Sequence, residues 1–288
     1  PAVLGHLSKN IRIAVLKTPL VDEDVGIAAS IRIVNPQSLK KENFVDGGTA
    51  TGEMLDFLAE CLRYGISICV AGATSSGKTT LAGWLLTTIP DGKRIFTIEN
   101  GSRELALVRE KDGKVTNSVI HTLTRYSENE KQNIDQDMLL DMALRFNPEI
   151  ICVGEMRSSE AYTAQESART GHTVLTTIHS NSCESTYSRM RTLCKRKYDM
   201  DDELLMDLVT EAFPIVVFTK QLENRKRKLM EIMECEITAD GKRKFNPLYR
   251  YEIAENRMEG ESLKKRFLEN GMPKDVLERI EKGGEKAC

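Results

Sequence analysis

The stretch "AGATSSGKTT", Ala71 to Thr80, limits what this chain can fold into more than any other. It has the form G-x-x-x-x-G-K-T and grows out of the apolar run "ISICVAG". A glycine-rich turn between a buried strand and a helix points successive backbone N–H groups into one concavity, which suits phosphate oxygens. Gly72 and Gly77 supply the backbone freedom for that turn. Lys78 is placed to reach the β- and γ-phosphates of a nucleotide, and the Thr79 hydroxyl to bind Mg²⁺. Thr80 lies in the first turn of the helix, whose positive end favours the α- and β-phosphates. The expected nucleotide contacts are therefore Gly72, Ala73, Thr74, Ser75, Ser76, Gly77, Lys78, Thr79 and Thr80.

From that loop onward, strand-like and helical patterns alternate. "RIFTIE", "EIICVGE" and "TVLTTIHS" read as strands; Lys78 to Ile89, "DQDMLLDMALRFN" and "SSEAYTAQESART" read as helices. This rhythm predicts an α/β domain with a largely parallel sheet covered by helices on both faces. "PIVVFTKQL" and "KLMEIMECEI", split by "ENRKRK", predict a hairpin at one sheet edge, with the basic run as its solvated tip. The tail "ESLKKRFLENGMPKDVLERIEKG" reads as two short helices around Gly271 and Pro273.

Upstream of the loop, "TGEMLDFLAECLRYG" reads as a helix, "NPQSLKKENFVDGG" as a polar linker, and "NIRIAVLK" and "GIAASIRIV" as strands. The expected division is 1–36 as the last strands of an N-terminal α+β domain, 37–48 as linker, and 49–288 as the nucleotide-binding domain. The chain starts at Pro1 and reads from the outset like the interior of a domain, so a fragment or a processed piece is expected.

Composition narrows the partners. A formal net charge of -2 gives no global attraction to nucleic acid. The seven cysteines include no C-x-x-C pair, and Cys69 and Cys152 lie within apolar strands, which fits reduced thiols rather than a disulfide frame or zinc site. No apolar run approaches the ~18 residues of a membrane span.

Further candidates lie at strand ends. Glu155, after the apolar run Ile150 to Val153, is the best candidate to polarise an attacking water or hold a metal-bound one. Glu99 ends another strand, with Glu104 nearby. His179 ends a third, where a γ-phosphate would sit beside a parallel sheet; His172 stays open between a structural and a functional role. Arg32, Arg103, Arg125, Arg145 and Arg157 lie in or beside these segments, and phosphoryl transfer profits from an arginine, often one from a neighbouring subunit. The sequence does not choose among them.

Taken in order, "GATSSGKTT", "TIENGSREL", "IICVGEMRSSEA" and "TGHTVLTTIHSNS" resemble the Walker A loop, Asp box, atypical Walker B and His box of the type II/type IV secretion ATPase superfamily. The likeness covers about Gly26 to Phe218. "ASIRIV" and "HTLTR" look most like the CpaF/TadA-type motors of tight-adherence (Flp) pili, with VirB11-type ATPases as close relatives. The resemblance implies a RecA-like P-loop NTPase domain behind an N-terminal domain. It implies an ATP- and Mg²⁺-dependent hydrolase, a homo-hexamer at full length, and an inner-membrane platform protein as partner. It also implies a cytoplasmic location, peripheral at the inner face of the bacterial membrane, with no dedicated nucleic-acid binding. By motif, Glu99 and Glu155 would orient water and His179 would sense the γ-phosphate. Arg125 would stand near the neighbouring subunit's nucleotide, and Arg32, near the domain junction, would join the nucleotide-binding residues. The chain departs from the pattern at Asn100, where relatives carry Asp, at Glu104, one residue later than usual, and at His121, where many have arginine. A RecA-like nucleic-acid translocase and a nucleotide-binding regulator without turnover are the competing readings. A transporter ATPase of the ABC type is disfavoured because no L-S-G-G-Q occurs.

Overall fold

The computed structural model describes residues 2–8, 11–33, 40–127, 129–251, 274, 275 and 278. Strands β1 (Ala2–Ser8), β2 (Ile11–Lys17) and β3 (Ile27–Ile33) form a small antiparallel sheet. β2 and β3 are the two runs expected from the sequence; β1 was not anticipated. Within the stretch read as linker, Lys41–Asp46 form a helix, α1. Its one apolar anchor, Phe44, is 4% exposed and packs on Trp84 with ring centroids 5.7 Å apart. The linker expectation is corrected there: Phe44 enters the apolar layer beside Trp84, and Lys41 pairs with Asp56 on the next helix at 2.6 Å, which together dock the six-residue helix.

Helix α2 (Gly52–Arg63) starts at Thr51, whose side chain accepts from the Met54 N–H at 3.2 Å. Next come β4 (Ile68–Gly72), α3 (Lys78–Thr87) and β5 (Ile95–Glu99). A small hairpin, β6 (Glu110–Lys111) and β7 (Lys114–Val115), leads to β8 (Val119–Leu123). α4 (Gln136–Ala143) is capped by Asp135 and runs through a 3₁₀ turn to Asn147, whose φ of 47° stops it just before Pro148. β9 (Ile150–Met156), α5 (Glu160–Arg169), β10 (Thr173–Ile178), α6 (Cys183–Cys194) and α7 (Asp202–Ala212) follow. β11 (Ile215–Gln221), β12 (Arg227–Ile237) and β13 (Arg243–Arg250) complete the sheet.

The large sheet has eight strands in the order β13-β12-β11-β4-β10-β9-β5-β8. The six from β11 to β8 are parallel, and β12 and β13 return antiparallel. Along β4, Ile68 and Val70 join the apolar layer of α1, α2 and α3, while Cys69 and Ala71 join that of α4 to α7. This is the expected doubly covered α/β sheet. The edge, however, is β13 rather than the hairpin. The basic run is corrected too: only its first part is a turn. The Leu229 N–H donates to Thr49 O at 2.7 Å and Lys228 Nζ donates to Gly48 O, so β12 fastens the segment after α1. The two tail helices lie almost wholly outside the described residues.

Phe44→Ala tests the docking of α1. Trp84 is the chain's single tryptophan, so its emission reports this contact. Urea unfolding followed at Trp84 should show a loss of about 3 kcal/mol, the scale for removing a buried aromatic ring, and a red-shifted folded-state emission. An unchanged midpoint and spectrum would mean that α1 does not pack there.

Candidate active site

β4, β10, β9 and β5 lie side by side and parallel, so their carboxyl ends open onto one place. β4 leads into the glycine loop. A Cβ at Gly72 would meet Thr219 O at 2.3 Å and Ser76 Oγ at 2.5 Å, so only glycine fits. Thr219, on β11, donates to Ala71 O at 3.2 Å and pairs with Ser76 Oγ at 3.0 Å, which straps the loop to the sheet. Positive φ at Ser75 (63°) and Gly77 (98°) turns the chain into α3. The Leu81 N–H bonds to Gly77 O at 2.9 Å, so the amides of Lys78, Thr79 and Thr80 precede the helical bonding and remain for a ligand.

Lys78 is 8% exposed, and its Nζ donates to Gly72 O at 3.0 Å and Ala73 O at 2.8 Å. Burial lowers its pKa; Glu155 opposes this and Arg157 adds to it.

A bulge in β9 aims Glu155. Thr176 pairs with Val153 but Ile178 pairs with Met156, so one extra residue on β9 falls at Gly154-Glu155. Thr177 Oγ1 donates to Gly154 O at 2.7 Å and fixes the bulge. Glu155 Oε2 accepts from Arg157 Nη2 at 2.5 Å. Its Oε1 lies 3.0 Å from His179 Nε2, outside hydrogen-bond geometry, and is buried without a hydrogen bond. Burial alone would raise the Glu155 carboxyl. Arg157 first, then His179 and Lys78, carry it below the ordinary carboxylate value. His179 follows β10, and its pKa is lowered by burial and by Lys78, against the pull of Glu155.

Glu99 ends β5 with one oxygen already committed. Oε2 accepts from the Glu104 N–H at 2.5 Å and the Leu105 N–H at 3.0 Å, which holds the following loop over the site. Oε1 is buried without a hydrogen bond, 3.6 Å from His121 Nδ1, which itself meets Thr97 Oγ1 at 2.8 Å.

These groups surround a cavity of about 490 Å³. Of the residues expected from the sequence, Thr74 to Thr80, Glu99, Glu155 and His179 line it. Gly72 and Ala73 shape the loop and hold Lys78 through their carbonyls. Arg125 is exposed and away from the lining, tied by paired backbone bonds of 2.9 and 2.8 Å to Ile134. Arg32 pairs in register with Arg12, and its side chain lies outside those described. His172 Nδ1 meets Pro148 O at 2.9 Å, a structural tie. Two arginines join the lining that sequence reasoning left unassigned. Arg157 stood in a set of five, and Arg227 was read as hairpin tip, yet its Nε donates to Ser75 O at 2.9 Å. Only the strand order brings Arg227 to the loop.

The donors fit a nucleotide triphosphate with Mg²⁺. Unbonded first-turn amides and Lys78 face the cavity, and Glu155 Oε1 is an orphaned buried acceptor. Among the described residues no group of three or more His, Cys, Asp or Glu is set to hold a metal, so Mg²⁺ would take the Thr79 hydroxyl together with phosphate and water oxygens.

A strand, glycine loop and helix flanked by acidic ends of neighbouring parallel strands define a RecA-like P-loop domain. More specifically, the chain belongs to the family described as Type II/IV secretion system protein, which matches residues 3–257. It is 32% identical to the uncharacterized protein MJ0900 of Methanocaldococcus jannaschii over 191 residues, 66% of this chain and 33% of that one. It is 27% identical to protein VirB11 of Agrobacterium tumefaciens over 199 residues, 67% of this chain and 54% of that one. The VirB11 ATPase of the Brucella suis type IV secretion system, solved with sulphate, shares the fold, with a TM-score of 0.53 and 24% identity over 81% of this chain and 76% of that one. The chain thus spans a third to about half the length of these two sequence relatives.

His179 should titrate below its ordinary value near 6.5. With four histidines in the chain, NMR can follow it directly. Lys78→Met removes a repelling cation and should move the midpoint up; Glu155→Gln removes the attracting anion and should move it down. A midpoint above 6.5 that ignores both changes would contradict this geometry.

Proposed function

We propose that this chain is the ATP-hydrolysing motor unit of a secretion or pilus-assembly machine. One observation carries the reading: the ends of four adjacent parallel strands deliver Lys78, Thr79, Glu99, Glu155 and His179 to a single cavity. Membership of the Type II/IV secretion family supports the biological setting.

In this reading the loop amides and Lys78 hold the β- and γ-phosphates. The Thr79 hydroxyl would hold Mg²⁺, which when bound would supply positive charge against the phosphate oxygens. Glu155 takes the proton of the attacking water. His179, neutral near pH 7, lies beside Glu155 and reads the γ-phosphate through its ring nitrogens. Glu99 keeps the loop over the site and leaves one oxygen for a water. Arg125 faces outward and is proposed to serve the nucleotide of a neighbouring subunit in a homo-hexamer, with Arg32 near the domain junction. The division into residues 1–36, 37–48 and 49–288 remains our proposed domain plan, amended by α1. Among the described residues no helix is long and apolar enough to cross a membrane. We place the working protein at the cytoplasmic face of the membrane, against a membrane platform protein.

Phosphate release with Mg²⁺ and ATP tests this. Lys78→Ala should abolish tight ATP binding. Glu155→Gln should bind nearly normally and hydrolyse at least ~10²-fold more slowly, the scale for losing a general base. Normal turnover by Glu155→Gln would transfer the base role to Glu99.

Arg125→Ala should also be slow. Mixed with Lys78→Ala subunits it should regain part of its activity, because some interfaces then combine an intact loop with an intact Arg125. A demonstrably mixed oligomer without recovery would confine Arg125 to its own subunit.

A further inference from the structure

Lys78, Arg157 and Arg227 all line the cavity, but they are held in different ways. Lys78 leans on the carbonyls of Gly72 and Ala73, and Arg227 on that of Ser75. Arg157 instead lies on the carboxylate proposed to be the base, with Nη2 donating to Glu155 Oε2 at 2.5 Å. Its main chain is pinned on both sides. The Arg157 N–H donates to Glu160 Oε1, and Arg157 O accepts from Arg196 Nη1 at 3.1 Å. The side chain is not confined in this way: it is 57% exposed, against 18% for Glu155. A fixed backbone with an exposed guanidinium makes a pivot.

We propose that Arg157 senses the γ-phosphate within its own subunit, holding Glu155 closed until ATP draws the guanidinium away. This rests on the hydrolase reading above. A terminal phosphate offers three charged oxygens in the geometry a guanidinium fork prefers, and outcompetes one carboxylate oxygen. ADP has no such group and leaves the pair intact. While the pair stands, Oε2 is occupied. The groups facing Glu155 are Arg157 beyond its own strand, His179 after β10, Lys78 on α3, and Gln136 Nε2 on its carbonyl at 3.1 Å. Arg157 is the strongest of the groups that keep the carboxyl acidic, so its departure makes Glu155 a better base when substrate is present. In the step itself the water oxygen bonds to the γ-phosphorus as the bond to the bridging oxygen breaks. ADP leaves with that electron pair, and the water's proton passes to Glu155.

The test is equilibrium titration of the full chain, with Mg²⁺, using a fluorescent ADP and a fluorescent non-hydrolysable ATP analogue. Arg157→Gln should bind the ATP analogue at least ~10-fold more weakly, the scale of one lost hydrogen bond to a charged group, and ADP within about two-fold of the unmodified chain. The loss should persist in a Glu155→Gln background, where the partner carboxylate is already gone. Arg157→Lys, which keeps the charge without the fork, should recover part of it. ADP and ATP affinities that change alike, or a loss that vanishes in the Glu155→Gln background, would show Arg157 acting only through Glu155 and overturn the proposal. Lys78→Ala serves as control for the site: undiminished ATP affinity there removes the hydrolase reading and this proposal together, whereas the previous outcomes remove this proposal alone.

Discussion

The site depends on the parallel register of β4, β10, β9 and β5. Parallel pairing brings like ends together, and an antiparallel neighbour in the middle would send one chemical group to the opposite edge of the sheet. The tolerance is narrow. A one-residue slip of β9 against β10 would exchange its two buried faces between the helical layers and carry Glu155 away from the cavity. The bulge at Gly154-Glu155 uses that sensitivity locally: one extra residue re-aims the carboxylate while Ile151 and Val153 stay in the apolar layer. Gly154 permits it, since a Cβ there would stand 3.2 Å from Ile98 O.

Charge in the cavity is balanced internally. Lys78, Arg157 and Arg227 face Glu99, Glu104 and Glu155, so the overall charge of -2 says little about the field a polyanion meets. The cations are held by carbonyls or by a carboxylate, contacts that phosphate oxygens can replace on better terms. β12 touches the loop through Arg227 and the segment after α1 through Lys228 and Leu229, so the loop and the N-terminal side share one support.

Much of this was legible from residue patterns. The loop, and the strand ends at Glu99, Glu155 and His179, stand out because apolar runs stop abruptly at polar residues. β1, β8, β13 and α1 did not stand out, and Cys183 to Ala212, which folds as α6 and α7, was left unread. β8 is half-exposed with a histidine in the middle, and β13 is an edge strand that tolerates Pro247 and three cations, the half-buried Arg243 and the exposed Lys244 and Arg250. α1 has one buried residue and so no period to detect. The roles of the arginines were illegible for another reason. Arg227 reaches Ser75 only through the strand order, whereas Arg157 and Arg125 meet partners near in sequence, Glu155 and Ile134, and which of the two lines the cavity is set by the fold.

Hydrogen exchange with and without Mg²⁺ and ATP tests most directly whether four strand ends make one site. The account predicts that added nucleotide slows exchange together in 72–80, 99–105, 154–157 and 177–179 of the unmodified chain. Protection confined to the glycine loop, with the other three stretches unchanged, would contradict it.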